Sequence, residues 1–447
     1  MKPPDLSFTV RRRHPELVGP AKATPHEVKF LSDIDDQGML LRFQMPLIQL
    51  YRGNPSMRGK DPVEVIRKAL ADTLVFYYPF AGRLRDGPNR KLMVDCNGDG
   101  VIFIEADADV TLEEFGDLHP PFPCLEELLY NVPGTSDILN TPLLLIQVTR
   151  LECGGFIFAL RLNHTMSDAI GIVQFMSALG EIARGAPKPL TLPIWHRELL
   201  NARDPPHVTC KHGEYEYEEE APDIKQTIVS LTNMVQRSFF LGPNEVASIS
   251  DQIPYHLRYS SSSFEIITAF LWRCRTIALQ FDDDEKVRMV CAVNARAKFN
   301  PPLLDGYYGN AVAFLMAVTT AGKLRRNSLG YALELVKKMK GEVSEEYMHS
   351  LADFMATKGR RCFKIKGFCN VSDVRRAGFN DVDFGWGKAV YGGSAKVDEV
   401  GIMYLPYKNA QGQEGLIIIS CLPSDAMERF VKEWDRILKT RLITSSL

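Results

Sequence analysis

Of the nine histidines in this 447-residue chain, one stands where scaffolds place reactive side chains. His164 follows an apolar run, residues 156–163, and precedes Thr165-Met166-Ser167-Asp168, after which Ile172, Val173, Met176, Leu179 and Ala183 recur at helical spacing. A strand that turns into a helix presents its last side chains at a crevice. An imidazole with an ordinary pKa of about 6.5 suits general-base work near neutrality. Position alone still favours a structural histidine over a catalytic one. The other eight, His14, His26, His119, His196, His207, His212, His256 and His349, fall beside prolines or turns or in polar stretches and read as surface or capping residues.

Asp168 follows His164 by four positions. In one helical turn the two would share a face, and the carboxylate could orient the imidazole as in a catalytic triad. A strand ending near 162 and a helix starting near 168 instead leave a turn between them, which lets the side chains point apart. Asp168 then reads as an N-cap or a buried ion-pair partner. No GxSxG elbow, Walker lysine or dinucleotide GxGxxG is present, and Gly385-Trp386-Gly387 lacks the third glycine. The nine cysteines are scattered without a CxxC pair, and HExxH is missing, so reduced thiols and no metal are expected.

The elements that must position these residues alternate along the chain. Residues 7–13 and 40–51 look extended, and Asp61-Pro62 opens a helix through 74. Stretches 91–95 and 101–105 flank a turn at 97–100, and 143–151 and 156–162 flank Cys153-Gly154-Gly155 as a hairpin. Gly185 stops the helix that begins at 168. Prolines at 187, 189, 193, 205, 206 and 222 and the acidic run 214–220 then mark a solvated connector. Beyond it come a helix near 263–279, strands near 287–293 and 311–318, a helix over 328–355, strands near 401–405 and 415–420, and a helix over 423–439. This is an α+β pattern, divided as a first domain 1–185, a linker 186–224 and a second domain 225–447.

With 53 basic and 55 acidic side chains the chain carries a net charge of −2, which gives no general field for nucleic acid. No apolar run approaches the roughly 18–20 residues needed to cross a bilayer, so no membrane insertion is expected. The N-terminal residues lack the charged-then-apolar pattern of a secretory leader.

His164-Thr165-Met166-Ser167-Asp168, with Asp383-Phe384-Gly385-Trp386-Gly387 about two hundred residues later, resembles the plant BAHD acyl-CoA-dependent acyltransferases. The blocks 77–84, 147–150, 294–296 and 306–310 resemble the same family, and 154–158, 193–197 and 202–206 its alcohol acyltransferases. The resemblance implies two chloramphenicol-acetyltransferase-like domains, each a mixed sheet with flanking helices, joined by a long crossover loop. A tunnel between them would admit acyl-CoA and an alcohol from opposite sides, with His164 as general base at the middle. It implies that Asp168 turns away to pair with Arg296, and that Asp383, Phe384, Gly385, Trp386 and Gly387 hold the fold together. Leu47, Gln49 and Tyr308 would line the substrate pocket, and Asn370 and Ser372 would be donors to the oxyanion or ordinary strand residues. Ser262 and Ser263 could receive CoA at a helix N-terminus or simply cap it. One departure is Ala169, where the family usually has glycine.

The implied reaction joins benzoyl-CoA to benzyl alcohol as benzyl benzoate. Alternatives are an acetyl donor, a larger acceptor such as a taxane-like terpenoid or an amine, and a degenerate CoA-binding protein without turnover. Acyl-CoA would be a co-substrate, with no tightly bound cofactor and a monomeric chain. The final Ser445-Ser446-Leu447 resembles the peroxisomal address Ser-Lys-Leu, leaving cytoplasm and peroxisome as the expected compartments.

Overall fold

The fold is described from a computed structural model for residues 6–88, 91–215, 233–359 and 367–444. The expected hairpin forms, with Leu144–Leu151 and Phe156–Asn163 antiparallel at the centre of a sheet. That sheet runs Val10–Arg12, Val101–Ala108, Leu144–Leu151, Phe156–Asn163, Gln44–Tyr51 and Tyr391–Ser394, and Glu16–Val18 also pairs with Val101–Ala108. It is mixed, because Val101–Ala108 and Leu144–Leu151 are parallel. A second mixed sheet runs Met234–Leu241, Glu414–Pro423, Gly401–Lys408, Phe368–Asp373, Lys286–Asn294 and Val312–Thr320. A small third sheet joins Val28–Phe30, Leu92–Asp95 and Arg83–Asp86.

Side chains alternate across each strand, so each sheet has two faces to bury. One face of the first sheet packs on helices Pro62–Phe76 and Ala169–Ala183 through residues such as Leu70, Phe158 and Phe175. One face of the second packs on Ser263–Leu279, Leu329–Lys340, Glu345–Lys358 and Ser424–Thr444 through residues such as Phe270, Leu333, Leu351 and Phe430. The remaining faces meet each other, Ile48, Leu50, Ile104 and Ile157 from the first sheet against Leu405, Ile417 and Ile419 from the second. No helix among the described residues is long and apolar enough to cross a membrane.

Three expectations change. The single helix over 328–355 is two, because Gly341 ends the first and the Ser344 hydroxyl accepts from Tyr347 N–H (3.1 Å) to open the second. The sheets do not follow the chain halves: Tyr391–Ser394, from the second half, pairs with Gln44–Tyr51 and completes the first sheet. His212 is not on the surface. It is buried against Tyr347 and Phe354, with Nε2 2.9 Å from the Ser350 hydroxyl and Nδ1 3.4 Å from Glu214.

That cluster shows how the connector is fixed. Ser350 accepts from the N–H groups of Thr209 and Cys210, and Asp353 accepts from the Arg203 N–H and guanidinium, each at 2.7 Å. The connector is therefore tied to helix Glu345–Lys358 at Arg203, 209–210 and His212, while much of 186–209 stays exposed and residues 216–224 of the expected linker lie outside the described residues.

Candidate active site

His164 leaves the end of its strand in a short 3-10 turn, His164–Met166. Asn163 starts that turn: its side-chain oxygen accepts from the Thr165 hydroxyl (2.8 Å), and its amide donates to Ile138 O (3.0 Å). The His164 N–H donates to Phe43 O (3.0 Å), and the imidazole packs edge-tilted on the Phe43 ring, 5.1 Å between centroids. Nδ1 is buried without a hydrogen-bond partner among the described residues. Burial lowers the His164 pKa below its ordinary value, a pull only partly opposed by its own carbonyl, the Asp168 charge and Asn310. The ring is neutral at neutral pH and able to accept a proton.

Asp168 does not touch the imidazole. It caps helix Ala169–Ala183, with Oδ1 accepting from Ile170 and Gly171 N–H (3.1 and 3.0 Å). Arg296 grips it with both arms (2.7 and 2.9 Å), and Ala311 N–H adds a further bond at 3.0 Å. Desolvation alone would raise this carboxyl. The Arg296 charge and these bonds outweigh it, so its pKa is below the ordinary range.

Ala169 sits in ordinary helical backbone, outside the positive-φ residues, and packs against the first core. The glycine this turn requires is Gly171, where an added Cβ would stand 2.1 Å from the Tyr308 carbonyl oxygen. The Ser167 hydroxyl donates to that same oxygen at 2.7 Å.

Asp383 makes its own loop: Oδ1 accepts from Gly385 and Gly387 N–H (2.7 and 2.8 Å), and both glycines take positive φ, +112° and +94°. Phe384 is fully buried against Phe158, and Trp386 lies edge-on to Phe156. This segment binds the second half to the first sheet, away from His164.

Three expected pocket residues are packed within the protein, and Ser262 takes the capping alternative. Leu47 is buried in the first core. Gln49 uses its amide within the protein, donating to Phe379 O (2.6 Å) and accepting from the Tyr51 hydroxyl (3.2 Å). Tyr308 is enclosed by Tyr77, Phe80 and Trp195. Ser262 is a cap paired with Glu265, whose carboxylate accepts from Ser262 N–H (2.7 Å) and from Lys340 (2.9 Å). The positive end of that helix already faces an anion, which leaves Ser262 and the adjoining exposed Ser263 no evident pull on a phosphate.

Asn370 and Ser372 alternate with buried Cys369 and Val371, so they face away from the second core. The Asn370 side-chain oxygen Oδ1 is buried without a partner among the described residues. Beside them on that face lies an apolar cluster of Leu41, Val290, Val312, Phe314 and Phe368.

Sequence reasoning missed Asp35, Arg197 and Asn310, which meet under the His164 turn. Asp35 accepts from Arg197 (2.5 Å) and from both N–H donors of Asn310 (3.0 Å each), and Asn310 donates onward to His164 O (3.0 Å). Asp35 lies in Ser32-Asp33-Ile34-Asp35-Asp36, and such an acidic run ordinarily means a solvated surface. Here all three carboxylates are buried.

Comparison with known proteins agrees with this architecture. The Transferase family matches residues 8–437. The chain is 64% identical to a benzyl alcohol O-benzoyltransferase of Petunia hybrida, covering 97% of this chain and 95% of that one, and 57% identical to a 13-hydroxylupanine O-tigloyltransferase of Lupinus albus, covering 98% and 96%. Among solved structures, vinorine synthase superposes with a TM-score of 0.74 over 94% of this chain and 96% of that one at 22% identity, a likeness of fold. With its histidine turn and DFGWG loop in place, the chain belongs to the Transferase family, the BAHD acyl-CoA-dependent acyltransferases.

Proposed function

We propose that the protein transfers the benzoyl group of benzoyl-CoA to benzyl alcohol, with His164 as general base. The observation that carries the choice of substrates is the 64% identity over 97% of the chain to the Petunia hybrida benzyl alcohol O-benzoyltransferase. The chemistry rests on His164, neutral and not engaged by Asp168.

An alcohol, whose pKa lies far above neutrality like that of bulk water, is a poor nucleophile at neutral pH. His164 Nε2 takes its proton as the oxygen attacks the thioester carbonyl, assistance worth about 10²–10⁴ in rate. The tetrahedral adduct then expels the sulfur rather than the alkoxide, because a thiol of pKa about 8.5 is the far better leaving group. The imidazolium returns its proton to the thiolate, giving ester and free CoA. Asn370 and Ser372 are the candidates to bond the developing oxyanion, Ser372 through its hydroxyl and Asn370 through its amide nitrogen. Asp168 with Arg296 anchors the helix that follows the base.

The 57% identity to the 13-hydroxylupanine O-tigloyltransferase favours a second reading, acylation of a larger hydroxylated acceptor. Thiol release measured with benzoyl-CoA, acetyl-CoA and tigloyl-CoA against simple and polycyclic alcohols separates them. The highest kcat/KM is expected for benzoyl-CoA with benzyl alcohol. A higher value for acetyl-CoA or for a polycyclic alcohol would overturn that specificity, and no release from any pair would make this a CoA-binding protein.

We further infer a monomer residing in the cytoplasm or the peroxisome. Ser445-Ser446-Leu447, outside the described residues, supports the peroxisome, and a fluorescent fusion with these residues removed tests it.

A further inference from the structure

Two residues from distant parts of the chain, Arg197 and Asn310, donate to every carbonyl of the His164–Met166 turn, and Asp35 accepts from both. Asn310 Nδ2 donates to His164 O (3.0 Å) and Thr165 O (3.1 Å), and Arg197 Nη2 donates to Met166 O (2.7 Å). Both donors are tied to one carboxylate. Asp35 Oδ1 receives Arg197 and Asn310, while Oδ2 is fixed by the Ser32 N–H and hydroxyl at 2.9 and 2.7 Å. Asp35 and Asn310 are fully buried and Arg197 is 1% exposed.

An ion pair this deep is a weak source of stability, since apolar residues of similar volume often serve as well. It is nonetheless stiff, because moving either partner would leave an unpaired charge without solvent. That stiffness is transmitted to the carbonyls of the turn. The turn carries the His164 backbone, so holding its carbonyls fixes the Cα from which the ring projects against Phe43.

We propose that Asp35, Arg197 and Asn310 are positioning residues that set the backbone of the His164 turn and, through it, the direction of Nε2. This rests on the reading of His164 as the base. Tyr307 supplies a control. Its ring lies near both Arg197 and Arg296 (5.6 and 5.9 Å), and its buried hydroxyl has no partner among the described residues, so it shares the neighbourhood without holding the turn.

The test compares Asn310→Ala, Arg197→Lys, Tyr307→Phe and His164→Ala in the full chain, with rates normalised to folded protein. A base displaced by about 1 Å commonly loses about 10²-fold in rate, so Asn310→Ala is expected to lower kcat about 100-fold with both KM values within about threefold. The acid limb of its kcat profile is expected at lower pH, because support for the protonated ring is lost. Arg197→Lys keeps the charge opposite Asp35 but gives up the fork, and about a tenfold loss of kcat is expected. Tyr307→Phe is expected to match the wild type. A folded Asn310→Ala with normal kcat or an unmoved acid limb overturns the proposal. If it does not fold, normal kcat in Arg197→Lys overturns it, and failure of both to fold makes the trio a folding element and overturns it equally. Normal turnover in His164→Ala instead defeats the base assignment itself.

Discussion

At the scale of single residues, the HxxxD spacing holds two side chains with separate tasks. Had Asp168 oriented the imidazole, its carboxylate would face Nδ1. It instead receives five hydrogen bonds from a helix N-terminus, Arg296 and Ala311. Asp168→Ala therefore leaves the part-buried Arg296 guanidinium without its carboxylate and the helix without its cap, and a loss of about 1–3 kcal/mol in denaturant unfolding is expected alongside lost activity. Normal unfolding with lost activity would restore the orienting role. The pH dependence has a definite sign. The Asp168 pKa is depressed in the folded state, so its contribution is complete above the unfolded value and is lost as pH falls through the folded one. Comparing acid unfolding of the wild type with that of Asp168→Asn checks this, the variant losing that component.

Among the secondary-structure elements, the strand–turn–helix unit carrying the site was legible because its signals are local. A continuous apolar run marked the strand, helical spacing the helix, and the residues between them the turn. The need for glycine at 171 was not legible, since it arises from a carbonyl 137 positions later in the chain pressing on the helix. Gly171→Ala is expected to cost about 1–3 kcal/mol through overpacking against Tyr308 O. Ala169→Gly, in open helical backbone, is expected to cost no more than about 1 kcal/mol. Thermal unfolding of the two compares them directly, and an equal effect would contradict the assignment of the close contact to Gly171.

Across the whole molecule, the site is a junction of separate chain segments, which explains what sequence reading recovered. The α+β class, the hairpin and the two sequence motifs came from patterns within short windows or from resemblance. The frame of Asp35, Arg197 and Asn310 did not: Arg197 and Asn310 fall in family-like blocks, but their shared role appears only when 35, 197 and 310 converge. The docked connector is a second case: prolines and acids suggested solvent, whereas Arg203, His212 and the backbone of 209–210 bind helix Glu345–Lys358. Asp353→Ala removes that anchor. A stability loss of about 1–3 kcal/mol from stranded donors is expected, with kcat per folded molecule unchanged.

The central claim is that a buried, neutral His164 removes the proton from the acceptor alcohol. The most direct measurement is the pH dependence of kcat/KM for CoA release in the wild type and in His164→Ala, both shown to be folded. Because burial lowers the His164 pKa, the wild-type acid limb is expected below the ordinary histidine value of 6.5, and the variant is expected to lose about 10²–10⁴ in rate together with that limb. Undiminished CoA release by His164→Ala, with the acid limb still present, would contradict the account.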